Sequence, residues 1–312
     1  MGKLGLMGLT IPEEYGGSGG DLISMVISAE ELSRSSGFIG AFYLAHLSLT
    51  LHPLFEKANE EQRQRFITPC ARGEKIACFA LAEPDVGTAP VVLQTTAVPR
   101  NGGYVLHGRK IFTTNGGEAQ VVVVFATVEP SLEYRGINEF VVEKGTSGFS
   151  VGKKLGIGSS STLELVFESC WIPESNLIGE RNRGFYQAWE AIQGNRVLIA
   201  AQAVGIAQAT FETVKQLGPL PNFQADMATQ IDAARFLTYR AAWLKTQGHP
   251  FLKEVIFATE MSRQVTNKAL QVLEDYGYIE DYRPERYFRD AKMTEVFARS
   301  LGGLSPPLHV ST

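Results

Sequence analysis

Thiol and imidazole chemistry can be tested first against spacing. The three cysteines, Cys70, Cys78 and Cys170, stand at unrelated intervals with no Cys-x-x-Cys pair, so neither a zinc site nor a disulfide framework is indicated. The five histidines (His46, His52, His107, His249 and His309) show no metal-ligand spacing and read as ordinary core or surface residues. Carboxylates, guanidiniums and hydroxyls remain. They are densest near the end of the chain, in Tyr276-Gly277-Tyr278 and then Pro284-Glu285-Arg286-Tyr287-Phe288-Arg289-Asp290-Ala291-Lys292. Glu295 follows, one helical turn before Ala298, so the two side chains share a helix face.

Composition bounds what such groups can serve. The chain has 312 residues, a net charge of −4, 44% hydrophobic and 20% charged residues. That is a globular composition, long enough for two or three packed units. Without a basic stripe, nucleic acid is not an expected partner. No apolar run of about 18–20 residues is read as a membrane span. The opening Met1-Gly2-Lys3-Leu4-Gly5-Leu6 has no signal-peptide core and, with Leu6, no myristoylation pattern. Cysteine usage suits a reducing compartment, and a cytoplasmic location is expected.

The elements that position these groups fall into three zones. In the first, to about Ala77, Asp21 can cap a helix whose Leu22, Met25, Val26, Ala29 and Leu32 recur at helical spacing. A second apolar helix covers about Phe38 to Glu56, and a third follows Asn59-Glu60-Glu61. The second zone, 78–182, changes period: Tyr104 to Asn115, Gln120 to Val128, Ile137 to Lys144 and Thr162 to Ile172 read as strands. Val121 to Val124 is continuously apolar, as a strand buried on both faces would be. The third zone, 183–312, is helical again, over Arg196 to Lys215, Phe223 to Lys245 and Lys253 to Leu273, with a fourth helix from Pro284. The expected class is α+β: an N-terminal helical domain (1–77), a small antiparallel β-domain and a C-terminal antiparallel four-helix bundle.

The motifs on these elements resemble those of the acyl-CoA dehydrogenase family, co-linearly from about Leu4 to Ser300. The opening Leu4-Gly5-Leu6 through Pro12-Glu13-Glu14-Tyr15-Gly16-Gly17 is similar to L-G-L-x-G-x-x-x-P-E-x-Y-G-G. Phe79-Ala80-Leu81-Ala82-Glu83-Pro84 looks like F-A-L-T-E-P, and Gly108 through Gly116 like G-x-K-x-W-I-T-N-G. Gly194-Asn195-Arg196 with Ala203-Val204-Gly205 is similar to the family's first bundle helix. The Tyr276–Lys292 run resembles its C-terminal signature, G-G-Y-G-Y followed by P-V-E-R-Y-x-R-D-A-K-I.

The resemblance implies FAD between the β-domain and the bundle, and α,β-dehydrogenation of an acyl-CoA or acyl-carrier thioester by hydride transfer to the flavin. It puts Phe79, Leu81, Phe112, Thr114 and Gln271 at the cofactor, and Arg196 and Thr88 at the substrate. It further implies a homo- or hetero-oligomer assembled through the bundle. The same resemblance exposes departures. The family's base falls on Ala298, and the alternative base position on Asn195; neither side chain can accept a proton. Glu295, or failing that Glu190, is the substitute to test. The Arg-x-x-Phe-Gly segment is missing between Lys215 and Phe223, and the Q-x-x-G-G turn reads Gln271-Val272-Leu273-Glu274-Asp275. Two carboxylates then stand where an anionic pyrophosphate would lie, which like charge disfavours. An impaired dehydrogenase is therefore expected. The alternatives are a non-catalytic thioester-binding or scaffold homologue, or one subunit of a hetero-oligomeric dehydrogenase.

Overall fold

The computed structural model describes residues 1–84, 92–155, 162–216 and 221–299. Helix α1 (Leu22–Ser35) starts where the sequence places it: the Asp21 carboxylate accepts the Ser24 backbone N–H at 2.8 Å, satisfying one orphan donor of the first turn. Helix α2 (Gly37–Lys57) runs on as one apolar rod whose middle, Leu44–Leu51, widens into π-type turns. Helix α3 (60–71) opens on a reciprocal capping box between Asn59 and Gln62.

The β-zone forms one eight-stranded sheet from β1 (Ala77–Ala80), β2 (Thr96–Arg100), β3 (Gly103–Thr114), β4 (Val121–Thr127), β5 (Ile137–Glu143), β6 (Phe149–Lys154), β7 (Thr162–Pro173) and β8 (Leu177–Ile178). The strand order is β6-β7-β3-β2-β4-β5-β8, with β1 alongside β4. Most pairings are antiparallel, as the short turns require. Two depart from that expectation: β1 and β2 each lie parallel to β4. Strand β4 is buried at all seven positions, which explains its unbroken apolar run. Cys78, Ala80, Val122, Val124, Phe140 and Phe167 pack on one side. Phe79 turns to the other and meets the Phe125 ring at 4.9 Å.

The bundle helices are α4 (Gly184–Gln216), α5 (Pro221–Thr246), α6 (Leu252–Leu273) and α7 (Pro284–Arg299). Polar ties fix their antiparallel order. Lys245 Nζ, at the end of α5, donates to Gly194 O in the first half of α4 at 3.2 Å. Asp226–Lys268 and Arg240–Glu254 join opposite ends of α5 and α6, while Glu260–Arg299 and Arg263–Glu295 tie the middle of α6 to the end of α7. Helix α4 begins twelve residues before the Arg196 start read from periodicity. Gly194-Asn195 looks like a break, yet a helix interior tolerates one glycine for about 1 kcal/mol when Ala188, Ala191 and Val197 are buried around it.

By density of contacts the chain divides into two compact units. One comprises Met1–Gly20 with Ala45–Gln193, the other Asp21–Leu44 with Gly194–Ser300. In the second unit, Glu30 of α1 pairs with Arg235 of α5 at 2.7 Å, and Gln202 of α4 donates to Gly37 O at 2.9 Å. The expectation of no apolar run long enough for a membrane needs correction. Gly37–Lys57 and Gly184–Gln216 are both long and apolar enough by length and composition, with 56% and 78% of their most apolar windows buried inside the protein. Pro53, Gly194 and Arg196 interrupt these runs to the eye.

Candidate functional site

The residues implied at the cofactor divide between the two units, and each unit has its own geometry. In the first, Phe79 ends up in β1, and Leu81 follows just past its end, almost fully buried. Strand β3 breaks register with β7 between Lys110 and Thr113. At that break Phe112 adopts φ 53, a left-handed conformation costly for an aromatic residue. Its ring is thereby turned out, 62% exposed. Thr114, half-buried, closes the strand opposite Thr162. The hydroxyl of Thr113 is buried and makes no hydrogen bond. A flat aromatic platform, an apolar neighbour and hydroxyl groups at one strand end are groups a tricyclic ring can use. Thr88 lies outside the described residues.

Two motif residues missed as functional candidates join this region: Lys110 and Glu83 form a fully buried ion pair at 2.6 Å. Burial pushes Lys110 down to about 8 against the opposing pull of Glu83. Burial alone would raise Glu83, but the Lys110 charge, the Lys110 hydrogen bond and hydrogen bonds from Thr95 and Gln94 hold it below its ordinary range. A lysine on the apolar face of a strand and a glutamate just after another strand were the signal available in the sequence.

In the second unit, Ala298 is completely buried near the end of α7. Asn195 is buried on α4 with its Oδ1 unpartnered, and an amide oxygen there still cannot act as a base. Arg196, 1% exposed, is interior rather than on the bundle surface, and burial lowers its pKa. Glu295 lies close to Ala298 in sequence but is committed elsewhere. Its carboxylate accepts Lys292 Nζ at 2.7 Å and sits 3.3 Å from Arg263 Nε. The Lys292 hydrogen bond, then the Lys292, Arg263 and Arg299 charges, outweigh burial and hold it below its usual range. A carboxylate so stabilised is a weak base. Glu190, in the first unit, pairs with Lys57 at 3.2 Å.

Gln271 is exposed on the last turn of α6. Three residues on, Glu274 caps the helix at φ 47, ψ −124, a conformation glycine adopts freely and glutamate does not. This geometry agrees with the glycine that the resemblance places there. Phe79, Leu81, Phe112 and Thr114 offer the apolar and hydroxyl groups a flavin ring can use, and the Glu274-Asp275 turn of the other unit carries charge that disfavours an anionic ligand.

Comparison with known proteins accounts for these arrangements. The family models "Acyl-CoA dehydrogenase, N-terminal domain", "middle domain" and "C-terminal domain" match residues 1–74, 78–170 and 182–298. A short-chain-specific acyl-CoA dehydrogenase of Clostridium acetobutylicum is 43% identical over 95% of this chain and 84% of its own length. The acryloyl-CoA reductase (NADH) of Anaerotignum propionicum is 40% identical over 95% of this chain and 81% of its own. Among solved structures, butyryl-CoA dehydrogenase from Megasphaera elsdenii superposes with a TM-score of 0.89 at 36% identity, covering 97% of this chain and 87% of that one. The α+β fold and the three matched domains define a flavoenzyme scaffold. The chain belongs to the acyl-CoA dehydrogenase family, whose members use FAD.

Proposed function

We propose that this chain binds FAD and a short-chain acyl-CoA thioester but turns it over slowly, for want of a proton-abstracting carboxylate. The observation that carries this reading is Ala298, a fully buried methyl group where the family resemblance puts the base. The short-chain preference rests on the short-chain specificity of the Clostridium acetobutylicum relative. Phe79, Leu81, Phe112 and Thr114 are the groups assigned to the flavin ring, and Arg196 to the acyl-CoA arm. FAD, when bound, supplies the hydride acceptor. The protein's own share is to orient the thioester, exclude water and hold the base. A positioned general base contributes about 10²–10⁴-fold, and Asn195 and Ala298 supply none of it.

The test is Ala298→Glu, assayed with butyryl-CoA and a dye acceptor. A gain of about tenfold or more supports a missing base as the main defect; no gain in an FAD-loaded variant contradicts it. Glu295→Gln serves as the companion variant. Residual turnover persists if Glu295 is only an ion-pair partner, and its disappearance would give Glu295 the base role after all.

A second reading is favoured by the outer face of the bundle. Phe236 is 75% and Trp243 56% exposed on α5, with Phe257 of α6 and Val296 and Phe297 of α7 also exposed. Apolar groups of that size suit burial against another subunit. In this reading the chain is one member of a hetero-oligomer whose partner completes the flavin contacts. A flavin-loaded homotetramer with full turnover, purified alone, would remove it.

A further inference from the structure

The buried Glu83–Lys110 pair joins two motifs that the sequence separates, and its geometry is directional. Lys110 Nζ donates to Glu83 Oε1 at 2.6 Å and to the Leu81 carbonyl at 3.1 Å. The backbone N–H of Ile111 donates to the Ala82 carbonyl at 2.8 Å. Residues 81, 82 and 83 are therefore each fastened to β3. The Glu83 carboxylate also accepts the backbone N–H groups of Gln94 at 2.6 Å and Thr95 at 3.0 Å. All of this sits immediately before the register break at which Phe112 turns out into solvent.

A fully buried ion pair is a poor choice for stability alone. Apolar replacements of similar volume are often neutral or stabilising, whereas removing one partner leaves an uncompensated charge. An ammonium reaching two acceptors two residues apart does something an apolar pair cannot: it fixes direction.

We infer that the Glu83–Lys110 pair is a positioning latch, holding residues 81–83 against β3 so that Leu81 and the strained Phe112 keep the arrangement that receives the flavin ring. This inference rests on the FAD-binding reading above. Neither residue is assigned contact with the flavin. They act through the backbone of residues 81–83 and 110–112.

The test compares the wild-type protein with the double variant Glu83→Gln/Lys110→Met, which removes both charges at similar volume. Three quantities are read: thermal unfolding, the dissociation constant for FAD, and the position and shape of the bound-flavin absorption band. The latch predicts a double variant that unfolds within a few degrees of wild type yet binds FAD about 10–100-fold more weakly, with a band shifted toward that of free FAD. Should that variant not fold, Lys110→Arg keeps the charge while its planar fork cannot repeat both lysine contacts; the same weakening and band shift are expected. A folded variant with wild-type affinity and an unchanged band overturns the latch alone. A wild-type protein that takes up no FAD overturns the reading of the site, and the latch's role with it.

Discussion

Ala298 and His46 show how differently a single buried residue can bear on function. Ala298 matters for the group it lacks. Placing glutamate there adds volume to a site with no exposure, so a stability loss of about 1–3 kcal/mol is expected alongside any gain in turnover. His46 matters for a proton it does not carry. Its Nδ1 accepts the Ala77 N–H at 3.0 Å, which leaves Nε2–H to donate to Met7 O at 3.1 Å. Burial, opposed by its backbone hydrogen bonds, lowers its pKa to about 4. Because the folded pKa lies below the unfolded value of 6.5, the contribution is fully present above about pH 6.5 and fades as pH falls toward 4. The span corresponds to about 3 kcal/mol. Denaturant titrations across that window should show the slope, and His46→Gln should flatten it. An identical slope in the variant would mean that carboxylates alone set acid stability. From the sequence His46 is one of five unremarked histidines, because spacing carries no information about enclosure.

At the scale of elements, the α6–α7 connection departs from what its fold favours. Glu274 holds φ 47, ψ −124 at the end of α6, a conformation that costs a non-glycine residue about 1–3 kcal/mol. Glu274→Gly should raise the unfolding midpoint by about 2–4 °C and, by removing a carboxylate, tighten FAD binding. An unchanged or lower midpoint would mean that the side chain repays its strain through contacts of its own. The elements themselves were largely legible. The Asp21 cap, the apolar β4 and the Pro284 helix start all follow from local chemistry, and the observed bounds lie within one or two residues. What escaped were β1, β2, β6 and β8, which are short or exposed on one edge, and the first turns of α4, hidden behind Gly194-Asn195. The register break at Phe112 was not legible either, since only pairing with β7 reveals it.

At the scale of the whole molecule, sequence motifs and fold agree on the family, and relatives match along 95% of the chain. Motif order survives because it is spread over all three zones, so no single departure erases it. The site was legible only as positions. That Arg196 is interior, that Glu295 is also held by Arg263, and that Lys110 is paired with Glu83 depend on contacts between residues far apart in sequence or on enclosure. The proposed function joins the scaffold of an FAD-using family to a buried alanine, Ala298, where the resemblance puts a base. One measurement tests that reading directly: the visible absorption spectrum of the purified protein, saturated with FAD and freed of excess, before and after butyryl-CoA under anaerobic conditions. The expected result is a retained flavin band that bleaches slowly or not at all. A colourless protein, or a band bleached as fast as in a fully active dehydrogenase, would contradict it.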